Sequence, residues 1–360
     1  MKAATPNATS AIKHTTALAS ILLEQGDLAQ ADLEQGELMT RVEARMVELA
    51  GDRMGDPGAR MVHEHLDTGG KRLRARLALA SCQALGGHAE DAIDWAAAVE
   101  LLHNASLIHD DIQDGDRTRR GRPALWARYG AAQAINTGDL LLMLPFRALN
   151  RYPAEAQAAL VQILAGYAES TARGQIRELA LTASPDKGWG DYFSAVSGKT
   201  GTLFALPVRG AAELAGLLPD EAKELASALS SIGVLYQLQD DLLDLFDTKG
   251  RDAKGSDIYE GRLTALVLTH LDLHPEEGPA LFEVLGKPRD KTSLKEVERV
   301  ITRFIDGGAA AQLLARIELL ASELLASDAL NRTPGIHSVA TELVARVLAP
   351  LDAVNGGRDE

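Results

Sequence analysis

Two sets of three aspartates share one spacing in this sequence, and carboxylates at that spacing suit metal binding. The spacing is i, i+1, i+4, found in a first triplet, Asp110, Asp111 and Asp114, and in a second triplet, Asp240, Asp241 and Asp244. On a helix, positions i and i+4 lie on one face, where like charges repel by about 0.2–0.5 kcal/mol per pair. A divalent cation between the oxygens removes that repulsion, and Mg²⁺ usually binds through one or two carboxylates plus substrate phosphates. The triplets therefore predict metal binding together with a phosphorylated substrate.

A single acidic triplet is more simply explained as a solvated helix face. In this chain, however, each triplet follows an apolar segment and is itself followed by basic residues. The repetition of one arrangement favours a functional interpretation of both triplets.

Cationic residues near the first triplet are suited to binding a diphosphate. Arg119 and Arg120 follow the triplet, and a guanidinium group can bind phosphate oxygens in a planar, bidentate manner. Upstream, Lys71 and Arg74 follow a Gly-Gly pair at a predicted helix start, where free N–H groups and the helix dipole add to the side-chain charge. We therefore predict an anion site at each position.

His103 lies in the apolar segment that leads to the first triplet. A lone histidine in such a segment is more often a satisfied core residue than a ligand. His103 precedes Asp110 by seven residues, however, and two helical turns place both side chains on nearly the same face. This spacing favours a role in substrate binding.

Polar residues also accompany the second triplet. Lys199 and Thr200 lie between Gly198 and Gly201 in a helical segment. Glycine in a helix interior costs roughly 1 kcal/mol relative to alanine, so the pattern predicts a local distortion that exposes backbone carbonyls. Lys254 lies in a polar, glycine-containing loop over 249–255, within reach of a diphosphate.

Helices are the elements predicted to position these residues. Aromatic residues make up 4% of the 360 residues, and apolar side chains recur every three or four positions without long strand-like alternation. The pattern predicts an all-α helical bundle. An apolar helix over 92–109 leads to the first triplet, and a helix over 219–247 carries the second. We assign 1–40 to an N-terminal extension, partly disordered or helical, and 41–355 to one all-helical domain.

Composition excludes several other classes of protein. The formal charge of −14 argues against a nucleic-acid surface, which requires clustered Lys and Arg over a broad face. Cys82 is the only cysteine, so no intrachain disulfide is possible and a cytoplasmic location is expected. No apolar run reaches the roughly 18 to 20 residues that a membrane span requires.

Taken together, these motifs resemble the trans-isoprenyl diphosphate synthases, or polyprenyl synthetases, and among them the geranylgeranyl diphosphate synthases. The resemblance covers about 69–268, in the family's order and at about its spacing. Its motifs are GGKRLR at 69–74, HNASLIHDDIQD at 103–114, RRGRP at 119–123, GKT at 198–200, YQLQDDLLD at 236–244 and GSDIYEGRLT at 255–264. The chain departs from the family pattern in having Ala75 where proline is usual, Arg262 where lysine is frequent, and Lys254 three residues before Asp257 rather than four or five.

This resemblance implies a single large antiparallel helical bundle around a central substrate cavity, and a homodimer in which the partner is a second copy of the chain. It also implies that Mg²⁺, as three ions, bridges both triplets and the diphosphate of an allylic substrate. The implied roles follow. Metal is held by Asp110, Asp111, Asp114, Asp240, Asp241 and Asp244, the allylic diphosphate by Arg119, Lys199 and Lys254, and isopentenyl diphosphate by Lys71, Arg74, His103 and Arg120. Arg262 is a further substrate-binding residue, and Thr200 and Gln237 line the cationic centre.

Product length is predicted from the residues one turn before Asp110. Ala105 and Ser106 are too small to stop a growing prenyl tail, so Leu102 and Val99 would form the floor, together with Met143 or Phe146 of the neighbouring helix. That depth suits about twenty carbons, which predicts geranylgeranyl diphosphate as the product.

Four alternatives remain open at this point. A longer polyprenyl diphosphate synthase and a farnesyl diphosphate synthase differ only in product length. A terpene cyclase would need one aspartate triplet and no second diphosphate site, and a non-catalytic partner subunit would be expected to have lost a triplet.

Overall fold

In a computed structural model, the protein is described over residues 28–182, 184–246 and 254–356. The predicted all-α class is confirmed. The N-terminal half contains α1 (Leu28–Ala50), α2 (Pro57–Leu66), α3 (Leu73–Ala84), α4 (Ile93–Gln113), β1 (Thr118–Arg119), β2 (Arg122–Pro123), α5 (Leu125–Tyr129), α6 (Ala131–Ala148) and α7 (Ala154–Leu179). The C-terminal half contains α8 (Trp189–Val196), α9 (Thr202–Leu214), α10 (Pro219–Leu243), α11 (Ser256–Tyr259), α12 (Ala265–Leu273), α13 (Gly278–Leu285), α14 (Leu294–Asp306), α15 (Ala309–Leu325), α16 (Asp328–Asn331) and α17 (Pro334–Gly356).

Parts of two predicted segments lie outside the described residues. These parts are 1–27 of the proposed N-terminal extension and 249–253 of the loop that carries Lys254. The helix α1 begins at Leu28 and continues through residue 40 to Ala50. Over the described residues, no helix combines the length and the apolar character that crossing a membrane would require.

The chain divides into two compact units. Among the described residues, the first unit comprises 28–169 and 203–227, and the second unit comprises 170–202 and 228–356. The first triplet lies in the first unit and the second triplet in the second.

The first unit is built around α4, whose apolar residues are buried on several sides. Trp95, Leu101 and Ile108 of this helix are each at most 1% exposed. The Trp95 indole N–H donates to the Pro207 carbonyl at 3.0 Å, so the buried ring has its one polar group satisfied. This packing makes α4 a rigid support for the aspartates at its C-terminal end.

In the second unit, α10 supports the second triplet and shorter helices follow it. Proline, glycine and polar residues predict breaks near 275–279, 287–290, 306–308 and 331–335, and helices end or begin in each of these regions. At the start of α14, Ser293 and Glu296 form a capping box, which satisfies backbone N–H groups at the helix start.

Two local features differ from the sequence prediction. The turn after the first triplet is a short antiparallel hairpin that pairs Thr118 with Pro123 and Arg119 with Arg122. The sequence also predicts a buried helix over 129–149, and the corresponding helix α6 begins at Ala131 because Gly130 adopts φ +84° between α5 and α6. Glycine tolerates this left-handed region, which other residues rarely adopt.

Candidate active site

The first triplet lies where α4 ends. Asp110 and Asp111 are in the last turn of the helix, and Asp114 is its C-cap, with the Asp114 N–H donating to the Asp110 carbonyl at 2.8 Å. The backbone thus places Asp110 and Asp114 one helical turn apart, as their spacing predicts. Both side chains are partly exposed, whereas Asp111 is 2% exposed.

The buried member of the first triplet is paired with an arginine. Nε of Arg119 donates to Oδ1 of Asp111 at 2.7 Å, and the second guanidinium nitrogen lies 2.5 Å from the same oxygen. Burial raises the pKa of Asp111 even though this pair lowers it. The hairpin thus returns Arg119 to the helix end, and the arginine offsets one of the three negative charges.

The four residues assigned to isopentenyl diphosphate lie in the first unit. Arg120, at φ +52°, directs its guanidinium group to the Gly69 carbonyl, and a Cβ on Gly70 would lie 2.4 Å from that group. Lys71 follows directly and is exposed. Gly70 therefore provides the space that lets Arg120 approach the turn carrying Lys71.

His103 is surrounded by cations. Burial, followed by the positive charges of Arg74, Arg120 and Arg119, holds the pKa of His103 well below its usual range. The imidazole is therefore neutral at pH 7, and its Nδ1 is buried without a hydrogen-bond partner. A substrate oxygen is a suitable partner for such a group in a cationic environment.

His65 was not predicted as part of this site. It is 3% exposed, its Nε2 lacks a hydrogen-bond partner, and burial followed by the charges of Arg119, Arg120 and Arg72 lowers its pKa to about 3. The available sequence signal was its position four residues before the Gly-Gly pair. His65 is thus a second neutral imidazole beside the same arginines.

The second triplet does not continue its helix to the last aspartate. Asp240 and Asp241 lie on α10, but α10 ends at Leu243 and Asp244 begins a 3₁₀ turn over Asp244–Phe246. Asp240 is partly exposed, and Asp244 is 7% exposed. The Asp244 carboxylate accepts from the Ser256 hydroxyl at 2.6 Å and from the Asp257 N–H at 3.2 Å. Asp244 therefore connects α10 to the start of α11.

Asp241 is the most enclosed carboxylate of the second triplet. It is 2% exposed and accepts from the Tyr192 hydroxyl at 2.8 Å, the Gln237 amide at 3.0 Å and the Ala265 N–H at 2.8 Å. Burial raises the pKa of Asp241 to about 6, although these three hydrogen bonds lower it. Ala265 is the first residue of α12, so Asp241 also accepts one of the N–H groups that a helix start leaves without an intrahelical partner.

Tyr192 was not among the predicted site residues. It precedes Lys199 by seven residues, a spacing of two helical turns.

The predicted distortion around Lys199 and Thr200 is a π-helical turn over Ser197–Gly201. The Lys199 ammonium lies 2.5 Å from Oε2 of Glu178 on α7. Glu178 was not predicted as a partner of Lys199, although the sequence predicts a helix over 154–182 that contains it. The Glu178 carboxylate thus fixes the position of the Lys199 side chain beside the turn.

Two other predicted cations of the second unit differ in their contacts. Lys254 is exposed just before α11. Arg262 Nε lies 2.7 Å from Glu260 and 3.9 Å from Asp257, and residue 262 forms an isolated bridge with Thr182. Arg262 therefore has carboxylate partners within its own segment.

The residues predicted to control product length lie on α4. Ala105 is 0% exposed and Leu102 5% exposed, while the partly buried Ser106 donates to the His103 carbonyl at 2.8 Å. Of the candidate residues on the neighbouring helix α6, Phe146 packs against the core and Met143 is 56% exposed.

The donor atoms of the triplets suit a hard cation, because all are carboxylate oxygens. In each triplet at least one carboxylate is partly exposed, namely Asp110, Asp114 and Asp240. The tightest potential ligand group in the described part of the chain lies elsewhere, with donor atoms of His274, Glu276 and Glu277 all within 4.8 Å of one another. Glu277 of that group is engaged by His270 and Arg303.

Comparison with known proteins identifies similar chains. Residues 58–303 match the family model described as polyprenyl synthetase. A geranylgeranyl pyrophosphate synthase of Geoglobus acetivorans is 35% identical over 274 residues, which are 74% of this chain and 83% of that protein. A geranylgeranyl diphosphate synthase of Mycobacterium tuberculosis is 30% identical over 315 residues, or 82% and 88% of the two chains. The crystal structure of a geranylgeranyl pyrophosphate synthetase from Pyrococcus horikoshii Ot3 has a TM-score of 0.78 and 26% identity, covering 90% of this chain and 99% of that one.

Proposed function

This chain belongs to the polyprenyl synthetase family, and from that premise we propose that it condenses isopentenyl diphosphate with an allylic diphosphate to give an all-trans product of about twenty carbons. It is a trans-prenyltransferase by family. The product assignment is supported by the geranylgeranyl diphosphate synthases to which the chain is similar.

One observation carries the assignment of a second, diphosphate-binding substrate. In the first unit, the neutral and buried Nδ1 of His103 has no hydrogen-bond partner and lies within the electrostatic influence of Arg74, Arg120 and Arg119. Three guanidinium charges near one neutral imidazole repel one another unless an anion joins them. A diphosphate supplies both the negative charge and the hydrogen-bond acceptors.

The reaction breaks the bond between the allylic C1 and its diphosphate. C1 then bonds to the terminal carbon of the isopentenyl double bond, and the proton lost from the product passes to the released pyrophosphate. Bound Mg²⁺ supplies positive charge that makes the diphosphate a better leaving group. In each unit, we assign the partly exposed carboxylates to Mg²⁺ binding, which are Asp110 and Asp114 in the first unit and Asp240 in the second. Ligation by Asp111, Asp241 and Asp244, and the number of three ions, stay predictions.

The chain's own residues supply binding and orientation. Lys71, Arg74, His103 and Arg120 bind isopentenyl diphosphate in the first unit, and the assignment of Arg119 to the allylic diphosphate stays a prediction. In the second unit, Lys199 and Lys254 bind the allylic diphosphate, with Arg262 as a further substrate-binding residue. The Gln237 amide nitrogen donates to Asp241, which fixes the orientation of the amide group. We assign the Gln237 amide oxygen, together with Thr200, to stabilise positive charge on the allylic carbons.

Product length provides the sharpest test of the proposal. Ala105 leaves room one turn before Asp110, and Ala105→Phe should shorten the product to fifteen carbons because a buried ring fills that space. Ala96→Phe is the matched control, since Ala96 is equally buried on α4 but nine residues away, on the opposite face. Both substitutions overpack the core at a cost of about 1–3 kcal/mol.

The experiment incubates the enzyme with labelled isopentenyl diphosphate and each allylic primer, and separates the products by length. Twenty carbons for wild type and Ala96→Phe, with fifteen for Ala105→Phe, would support the proposal. A wild-type product of fifteen carbons, or the same product length from all three proteins, would show that the prenyl tail does not pass Ala105 and would refute the assignment of the residues that stop it. A longer wild-type product would favour the longer-chain alternative.

We further propose a homodimer in the cytoplasm. Ile135 and Met143 of α6 are 45% and 56% exposed and lie eight residues apart, on one face of the helix. Exposed apolar residues on one face are typical of protein interfaces. Light scattering coupled to gel filtration should give twice the chain mass, and Met143→Glu should shift the measured mass to that of the monomer.

The proposed cytoplasmic location rests on the single cysteine and stays a prediction.

A further inference from the structure

The π-helical turn that carries Lys199 and Thr200 is packed against glycines on two helices of the second unit. A Cβ added to Gly174 of α7 would lie 2.2 Å from the backbone nitrogen of Lys199 and 2.4 Å from the carbonyl carbon of Gly198. Real Cβ atoms do not approach backbone this closely, so the turn sits where it does only because residue 174 lacks a side chain.

The helix α10 approaches the backbone of the π-helical turn equally closely, at Gly233. A Cβ on Gly233 would lie 2.6 Å from the Gly201 Cα and 2.7 Å from the Thr200 carbonyl oxygen. The two glycines therefore determine how closely the backbone of the turn approaches α7 and α10.

Each of these helices also places a polar side chain one turn beyond its glycine. Glu178 follows Gly174 by four residues on α7 and holds the Lys199 ammonium at 2.5 Å. Gln237 follows Gly233 by four residues on α10 and donates to Asp241 at 3.0 Å. Residues four apart share a helix face, so one face of each helix fixes both the backbone of the turn and a polar group near it.

We propose that Gly174 and Gly233 are positioning residues that set where Lys199 is presented to the allylic diphosphate and where Thr200 is presented to the allylic carbons. The proposal rests on the proposed function of Lys199. A methyl group at either position displaces the turn by part of an ångström or more, and a misplacement of about 1 Å can lower catalytic efficiency on the order of 100-fold.

The test compares two Gly→Ala substitutions on the same helix. A Cβ added to Gly166 of α7 would meet no atom within 4 Å beyond its own helix, whereas one added to Gly174 meets the backbone of Lys199. Both substitutions bring the same gain in helix propensity. We expect Gly174→Ala to lower kcat/KM for the allylic substrate by about 10- to 100-fold, with the KM for isopentenyl diphosphate within about twofold of wild type. Gly166→Ala should match wild type.

A milder variant addresses the same contact if Gly174→Ala fails to fold. A Cβ on Gly198 would lie 3.0 Å from the Gly174 Cα, a contact that a small shift relieves. Gly198→Ala should show the same selective loss, by a smaller factor, with an unfolding temperature close to wild type.

A double-mutant cycle separates positioning from a general loss of structure. If Gly174 acts through Lys199, then Gly174→Ala in a Lys199→Ala background should cause much less further loss than it does alone. Equal losses in both backgrounds, or equal kinetics for Gly174→Ala and Gly166→Ala, would overturn the inference. If Lys199→Ala itself leaves the allylic KM and kcat unchanged, the proposed role of Lys199 fails instead, and the two failures are thus distinguishable.

Discussion

The two aspartate triplets have the same spacing in sequence but different surroundings in structure. In the first, Asp110 and Asp114 are partly exposed, and the buried Asp111 is paired with a cation, Arg119. In the second, only Asp240 is partly exposed. The buried Asp241 and Asp244 accept hydrogen bonds from neutral donors, among them the backbone N–H groups at the starts of two helices.

The difference shows that one motif can serve two purposes at once. A carboxylate that satisfies buried N–H groups stabilises the fold, and removing it leaves those donors without their acceptor. A carboxylate at a helix end with partial exposure is available to a metal ion. The first triplet has two partly exposed carboxylates and the second has one, so we expect Asp240 to be the critical metal ligand of its triplet.

The largest expected effect is the loss of turnover when an exposed carboxylate is removed from either triplet. Asp110→Ala and Asp240→Ala should each lower kcat by orders of magnitude with the fold intact, because removing one of several like charges does not destabilise a helix. Steady-state kinetics and circular dichroism measure the two quantities. Near-normal turnover in either variant would remove that triplet from the metal site.

Next in size is a split in Michaelis constants between the two units. Arg74→Ala should mainly raise the KM for isopentenyl diphosphate, and Lys199→Ala should mainly impair the allylic substrate, since each cation is assigned to one substrate. Initial rates measured with one substrate varied at a time separate the effects. An exchange of the two effects would reverse the assignment of the diphosphate sites.

A smaller effect concerns stability and distinguishes the last aspartates of the triplets. Asp244→Ala should lower the free energy of unfolding by about 1–3 kcal/mol, because it removes the acceptor of two buried hydrogen bonds. Asp114→Ala, at the matching position of the first triplet, should stay within about 0.5 kcal/mol of wild type. Urea denaturation measures both, and equal values would abolish the contrast between the triplets.

An effect of similar size is a pH dependence of stability. Burial raises the pKa of Asp241 to about 6, above the value of about 3.9 for an unfolded chain. The folded state therefore holds this proton more tightly, and the contribution of Asp241 to stability is complete below about pH 4 and lost as pH rises through about 6. In Mg²⁺-free buffer, Asp241→Asn should flatten the change in urea midpoint across this range, and a variant curve that keeps the wild-type slope would contradict the assignment to Asp241.

Much of this arrangement was predictable from local sequence. Helix periodicity and breaking residues predicted the all-α class and the C-terminal helix breaks, because both depend on neighbours along the chain. The π-helical turn was foreseeable as a distortion, since Gly198 and Gly201 flank Lys199 and Thr200. Local spacing also placed Asp110 and Asp114 one turn apart, since α4 continues to Gln113.

Contacts between distant segments could not be predicted in this way. The helical interpretation of the second triplet missed the end of α10 at Leu243, because Asp244 turns to bind the start of α11, twelve residues later. The pairing of Lys199 with Glu178 joins residues that no periodicity relates. The neutral state of His65 likewise depends on its burial, and then on arginines that only the folded chain brings near it.

The most direct test of the proposed condensation is the rate of pyrophosphate release at saturating Mg²⁺. We predict rapid release when isopentenyl diphosphate and an allylic primer are both present, little release with either alone, and abolition by a chelator. Release from the allylic primer alone at the full rate would contradict a condensation and indicate a terpene cyclase. No release under any condition from folded protein would indicate a non-catalytic subunit.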